Sequence, residues 1–219
     1  RTLISAHYAF LKVSEGCSRK CTYCIIPSLR GTQRSRPVEE ICHEAEELAG
    51  RGVREIILTA ENTTDYGQDL QDGPGFAQVL EGLAGRLQGK ETWIRFLYTH
   101  PNTLTPDVIA SVKQHEQLCS YYDVPIQHAS STVLRRMGRP YNKQDLVKLF
   151  ERIRAIDPEA ALRTTFIVGF PGETGQDFEE LLAFVKAVKF DHLGVFIYSD
   201  SDDLKSHSSQ KRIHSLFSA

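Results

Sequence analysis

Short runs of β-branched and aromatic residues alternate along this chain with longer stretches whose apolar positions recur every three to four residues. "FLKVSE" (10–15) predicts a first strand. "VEEICHEAEELAGRG" (38–52) predicts a helix that Gly50 and Gly52 stop. "REIILTA" (54–60) reads as a second strand and "GFAQVLEGLAGRL" (75–87) as its helix. "TWIRFLYT" (92–99) is a third strand, followed by "TPDVIASVKQH" (105–115) with Thr105 as cap and Pro106 in the first turn. "SYYDVPI" (120–126) is a fourth, with "SSTVLRRM" (130–137) and the longer helix "NKQDLVKLFERIRAID" (142–157) behind it. "ALRTTFIVGF" (161–170), "TGQDFEELLAFVKAVK" (174–189) and "HLGVFIYS" (192–199) complete the alternation.

Strand and helix units in regular succession imply a parallel sheet with right-handed crossovers. A doubly wound open sheet and a barrel-like sheet both satisfy the pattern. Polar and special residues follow every strand: the cysteine loop, "ENTTDYG", "THPN", "QHASS", "GFPGET" and "YSD". An open sheet gathers its ligand groups near one switch point, whereas a barrel brings all its C-terminal loops to one mouth. The expected fold is therefore α/β, a partial six-unit (β/α) barrel over residues 1–200. Residues 201–219, rich in Ser, Asp and Lys, read as a polar tail or linker. The loop "GTQRSRP" (31–37), with Arg30, Arg34 and Arg36, reads equally as solvated or as binding.

Composition narrows the class. The chain has 219 residues, 41% apolar and 25% charged, as an ordinary soluble globular domain does. A formal net charge of −2 gives no global basic field of the kind that marks a non-specific nucleic-acid binder. No apolar run is long enough to span a bilayer, and the opening at Arg1 without Met is expected of a piece of a longer protein. The five cysteines are odd in number, and three crowd into eight residues, which favours a metal site in a reducing compartment over a disulfide framework. Cys42 and Cys119 are read as small buried hydrophobes.

"CSRKCTYC" (17–24) places Cys17, Cys21 and Cys24 at C-x3-C-x2-C and supplies no fourth thiol. Zinc normally takes four ligands, and His43 would reach such a site only if the chain bent back. An iron–sulfur cube held at three corners leaves one iron open, and the spacing favours that reading. The motif, with Tyr23 before the last cysteine and a position at the end of the first strand, resembles the radical S-adenosylmethionine (SAM) enzymes. The resemblance implies a [4Fe–4S] cluster on Cys17, Cys21 and Cys24 whose open iron chelates the methionine end of SAM. On the same resemblance Glu61 and Asn62 face that end, and "IVGFPGE" (167–173) with Gly169 lies along the adenine. Arg163 is the expected clamp for the SAM carboxylate. Gln127, His128 and Ser130 join the site as polar groups at a strand end. No residue is assigned as catalytic.

"EGCSRKCTYCIIPSLRG", "SRP", "DVPIQHAS", "VLRRMGRP" and "LRTTFIVGFPGETGQDFEELL" resemble the methylthiotransferase branch, and "DVPIQHAS" with "THP" resembles the RimO-type group within it. The loop "ENTTDYG" departs from that group's Gln-Asp-Thr-Thr pattern at Glu61 and Asn62. The resemblance implies formation of a 5′-deoxyadenosyl radical, and methylthiolation of an aspartate of ribosomal protein uS12, with tRNA as the alternative substrate. It also implies a cytoplasmic enzyme and an electron donor such as flavodoxin or ferredoxin. An auxiliary [4Fe–4S] cluster in an N-terminal domain and a C-terminal TRAM domain are expected outside these residues. The non-enzyme alternative is a metal-binding interaction module.

Overall fold

The computed structural model describes residues 7–208. In chain order the elements are β1 (Tyr8–Lys12), β2 (Ser14–Glu15), α1 (Ile26–Arg30), β3 (Arg34–Ser35), α2 (Val38–Gly50), β4 (Glu55–Thr59), a 3-10 turn (Thr63–Asp65) and α3 (Phe76–Arg86). There follow β5 (Trp93–Phe96), α4 (Pro106–Gln114), β6 (Tyr121–Asp123), α5 (Ser131–Arg136), α6 (Lys143–Ile156), β7 (Ala161–Val168), α7 (Gly175–Val188), β8 (His192–Ile197) and a second 3-10 turn (Lys205–Ser208).

The long strands form two parallel sheets, β1-β4-β5 and β6-β7-β8. They meet where Ile94 bridges to Leu118, with Cys119 N–H donating to Ile94 C=O at 2.8 Å and Thr99 N–H to Asp123 C=O at 3.1 Å. Consecutive strands are thus neighbours throughout, the order of a partial barrel rather than of a doubly wound sheet.

Strand alternation decides what the barrel contains. Leu11, Ile56, Leu58, Ile94, Phe96, Tyr122, Leu162 and Phe166 face the helices and are buried. They pack on Ile41, Leu80, Leu83, Ile109, Leu149 and Phe184. The opposite face of β1 carries Tyr8, Phe10 and Lys12, all exposed, and that of β7 carries the partly buried Arg163, Thr165 and Ile167. The lumen is therefore a polar and aromatic surface.

Side-chain caps set three helix starts, the one at Thr105 as the sequence predicts. Thr105, Asn142 and Thr174 accept backbone N–H groups, and Asn142 and Thr174 are completed as capping boxes by Asp145 and Asp177.

Two expectations are corrected. The first strand does not run on through Glu15. After Val13, whose N–H reaches Thr59 C=O at 3.0 Å, the chain leaves the parallel sheet and β2 pairs antiparallel with β3. That pairing turns part of the 31–37 loop into a strand, and Arg36 is committed to structure, donating to Lys12 C=O at 2.7 Å and Glu44 at 2.8 Å. The predicted tail is also folded at its start. Ser206 is fully buried, donates its N–H to Thr22 C=O at 3.0 Å and shares a 2.8 Å hydrogen bond with Tyr198. Residues 209–219 of that predicted tail lie outside the described residues.

Candidate cluster and cofactor site

The cysteine loop leaves β2 at Gly16, whose φ of +79° suits glycine, and where a Cβ would collide with the Thr32 carbonyl. Cys17 N–H donates to Gly31 C=O at 3.0 Å, tying the loop to the end of α1. On the far side the stretch "MGRP" is its buttress. Thr22 N–H donates to Met137 C=O at 3.0 Å and Thr22 Oγ1 to Arg136 C=O at 2.8 Å, while Gly138, at φ +72°, lies close against Lys20. Arg19 anchors the middle, placing Nε and Nη2 on the two oxygens of buried Asp65 at 2.7 and 2.6 Å.

This bracing puts Cys17, Cys21 and Cys24 on one cavity of about 190 Å3 with Arg19, Tyr23, Glu61, Asn62, Tyr98, Thr99, His100, Pro125, Gln127 and Arg139. Burial pushes the Cys17 and Cys24 thiols above their ordinary range, partly offset by backbone N–H groups of Arg19 and Ile26. A metal taking them as thiolates must therefore displace protons. Among the described residues no three His, Cys, Asp or Glu side chains gather as one metal ion would require. The three thiols border a shared space instead, with no fourth thiol in its lining.

His100 supplies a test of that donor set. Its Nδ1 accepts Asn102 N–H at 3.2 Å, so the neutral ring carries its proton on Nε2, and that buried atom has no partner among the described residues. Burial, with the charges of Arg139 and Arg19, lowers its pKa to about 2. A ring in that tautomer carries a donor at Nε2, not a metal-binding lone pair. Glu61, another lining residue, also has one buried oxygen without a partner among the described residues. Three thiols, an orphaned donor and an orphaned acceptor fit a cluster with one open iron and a zwitterionic ligand beside it.

Arg139 is the cavity's cation. Arg19 is neutralised by Asp65, whereas among the described residues the Arg139 side chain donates to the Tyr23 hydroxyl, from Nε at 2.9 Å and also from Nη2. Its guanidinium lies 5.6 Å from the Tyr23 ring centroid and 5.8 Å from that of Tyr141. Burial pulls its pKa down, but Tyr141, Tyr23 and Cys21 outweigh it and the net direction is up. Burial raises the Tyr23 phenol well above its ordinary value, so that ring stays neutral and accepts.

Two lining residues hold backbone conformations rare outside glycine: Tyr98 at φ +61° and Gln127 at φ +70°. Asp123 holds the first, its Oδ2 accepting Tyr98 N–H at 3.0 Å. β7 holds the second, with Gln127 N–H donating to Thr165 C=O at 2.9 Å and Ile167 N–H to Gln127 C=O at 2.8 Å.

Of the residues named from the sequence, the cavity thus gathers Cys17, Cys21, Cys24, Tyr23, Glu61, Asn62 and Gln127. Arg163 lies elsewhere. It sits in register with Asp123 on the lumen face and donates to Asp123 Oδ1 at 2.6 Å. Ser130 is the cap of α5, accepting from Thr132 N–H and donating to Asp177 Oδ1 at 2.5 Å. His128 is fully buried, accepts Ser130 N–H at 2.9 Å and lies 3.4 Å from Glu173. Glu173 in turn accepts Phe170 N–H at 3.0 Å and closes the turn that carries Gly169 at φ +73°. His43 is on the exposed side of α2, beside Glu47. Sequence reasoning missed Arg19, His100 and Arg139 as individuals, although each lies inside a stretch it singled out.

The family model described as the Radical SAM superfamily matches residues 11–185. The chain is 49% identical over 215 residues to the ribosomal protein uS12 methylthiotransferase RimO of Desulfosudis oleivorans, covering 98% of this chain and 48% of that one. It is 48% identical over 198 residues to the protein of the same name from Clostridioides difficile, covering 90% and 44%. The chain thus spans about half the length of the curated relatives it matches. Among solved structures it resembles the radical SAM methyltransferase TsrM from Kitasatospora setae, with TM-score 0.71 at 15% identity over 87% of this chain and 36% of that one. It also resembles coproporphyrinogen III oxidase (HemN) from Escherichia coli, with TM-score 0.64 at 16% identity over 94% and 47%.

Proposed function

Because this chain belongs to the Radical SAM superfamily, we propose that its three-thiol cavity holds a [4Fe–4S] cluster with SAM, and that the protein containing it methylthiolates an aspartate of ribosomal protein uS12. The observation that carries this reading is three thiols on one braced loop, bordering one cavity whose lining includes a cation and two residues, His100 and Glu61, that each hold a buried polar atom unpartnered among the described residues. When bound, the cluster and SAM supply one-electron reductive cleavage to methionine and a 5′-deoxyadenosyl radical able to take hydrogen from an unactivated carbon.

The protein's own residues hold and shield. Cys17, Cys21 and Cys24 ligate, and Arg19 with Asp65 fixes the loop between the first two. Glu61, Asn62 and Gln127 offer acceptors and donors toward the methionine and ribose, and Arg139 offers positive charge beside the thiolates. The Gly169 turn, held by Glu173, would offer backbone groups to the adenine. Arg163 orders the lumen through Asp123, and Ser130 and His128 act behind the wall.

The uS12 assignment rests on the names of relatives about twice this length. An auxiliary cluster in the portion those relatives have beyond this match would supply the sulfur. A one-electron protein such as flavodoxin or ferredoxin would supply the electron, in the cytoplasm. Among the described residues no helix is long and apolar enough to cross a membrane.

The test is 5′-deoxyadenosine release by the anaerobically reconstituted protein on adding dithionite and SAM, with Cys21→Ala alongside. Release from the variant should fall to background, and equal release would refute the site. Product analysis on uS12 and on tRNA decides the substrate: methylthio-tRNA with unmodified uS12 would overturn the ribosomal assignment.

A further inference from the structure

A second cavity, of about 460 Å3, adjoins the first and is lined by Lys12, Ile26, Thr59, Ala60, Glu61 and Tyr98. Glu61 and Tyr98 line both, so a group entering the second cavity lies one side chain away from the thiol-bordered space. Nothing in the site described above uses Lys12.

Lys12 reaches this cavity by strand alternation. Ala9 and Leu11 are buried against the helices, which leaves Lys12, the last residue of β1, on the lumen face and in register with Thr59. Its charge is only partly answered. Glu15 is the carboxylate beside it, at 3.5 Å, and the same carboxylate lies 3.4 Å from Arg30. Two cations therefore share one anion at distances longer than a good charge-assisted hydrogen bond. The Lys12 side chain is 49% exposed, so turning its ammonium toward a ligand costs little desolvation. The rest of the wall is Ile26 and Ala60, which are apolar, with Thr59 and Tyr98, whose hydroxyls are its only other polar side-chain groups besides Glu61. One cation, a largely apolar wall with two hydroxyls, and an anion shared with the first cavity suit a short aliphatic group ending in a carboxylate. That carboxylate must lie at the Lys12 end, away from Glu61.

We propose that this second cavity receives the acidic side chain of the protein substrate, with Lys12 as the cation that binds its carboxylate and sets its carbon toward the cofactor cavity. The inference rests on the reading of a uS12 aspartate as the target and deepens it. In an aspartate the carbon next to the carboxylate is the one such a pocket would present at the partition.

The test uses the full-length reconstituted protein with SAM and two fluorescent peptides of the uS12 target loop, one with the aspartate and one with asparagine in its place. Anisotropy reads affinity without turnover, and iron content reports site integrity. Wild type should prefer the aspartate peptide. Lys12→Met should weaken that peptide at least tenfold while leaving the asparagine peptide within about twofold, and Lys12→Arg should keep most of the preference. A Lys12→Met protein with normal iron content that retains the wild-type preference, or that loses both peptides equally, overturns the proposal alone. Wild type that binds neither peptide while binding substrate tRNA overturns the uS12 reading, and the proposal with it.

Discussion

Asp65→Ala is the perturbation that most directly tests how the cysteine loop is held. The Asp65 side chain is 3% exposed and accepts three hydrogen bonds: two from Arg19, at 2.7 and 2.6 Å, and one from Thr103 Oγ1 at 2.8 Å. Each hydrogen bond to a charged group is worth about 1.5–3 kcal/mol, and removing one partner of a buried pair costs about 3–5 kcal/mol because the other charge is stranded. Arg19 remains 24% exposed and can recover water on one side. The expected loss therefore lies at the low end, about 3 kcal/mol, read from urea unfolding curves of the metal-free protein. Because the stranded cation carries most of the cost, Arg19→Met combined with Asp65→Ala should be at least about 1 kcal/mol less damaging than the two single losses summed. Iron bound after reconstitution should fall in Asp65→Ala, since Arg19 sits between Cys17 and Cys21. A loss below about 1 kcal/mol, or strict additivity in the double variant, would refute the idea that this pair clamps the loop.

Replacing Arg139 by Gln removes a cation whose side chain, among the described residues, bonds a neutral phenol rather than a carboxylate. In an EPR-monitored redox titration the cluster potential should move negative by on the order of 50 mV, close to a tenfold change in a one-electron couple, while Arg139→Lys moves it less; an unchanged potential would count against the charge reaching the cluster. Asp177 gives the pH dependence. Burial acts to raise its pKa, but bonds from Ser130 and Thr174 outweigh it, and the net direction is below the ordinary 3.8. The folded state thus favours the carboxylate, and its contribution is complete above the unfolded value and lost as pH falls through the folded one. Asp177→Asn should flatten the fall in urea midpoint on acidification from about pH 5 to pH 3; an unaltered slope would show that Asp177 does not carry it.

The chain's own residue pattern determined the α/β alternation, the helix cap at Thr105, and three thiols crowded on one short loop near the first strand. These are local properties, since a strand's period, a cap's side chain and the reach of one loop are all written in neighbouring residues. Even the strand-end rule found the right segments, because parallel strands place their following loops on one rim. What the tertiary structure alone decided is which side chain of each segment turns inward. Arg163 and Arg139 look alike as sequence. Register opposite Asp123 commits the first to the lumen, while the turn at Gly138 and the Tyr23 hydroxyl bring the second to the thiols. Ser130 and His128 sit beside Gln127 in the chain, yet only Gln127, in its left-handed backbone conformation, lines the cavity; its neighbours are spent on Asp177 and Glu173. Such choices depend on contacts between residues forty or more positions apart, and no local pattern encodes them.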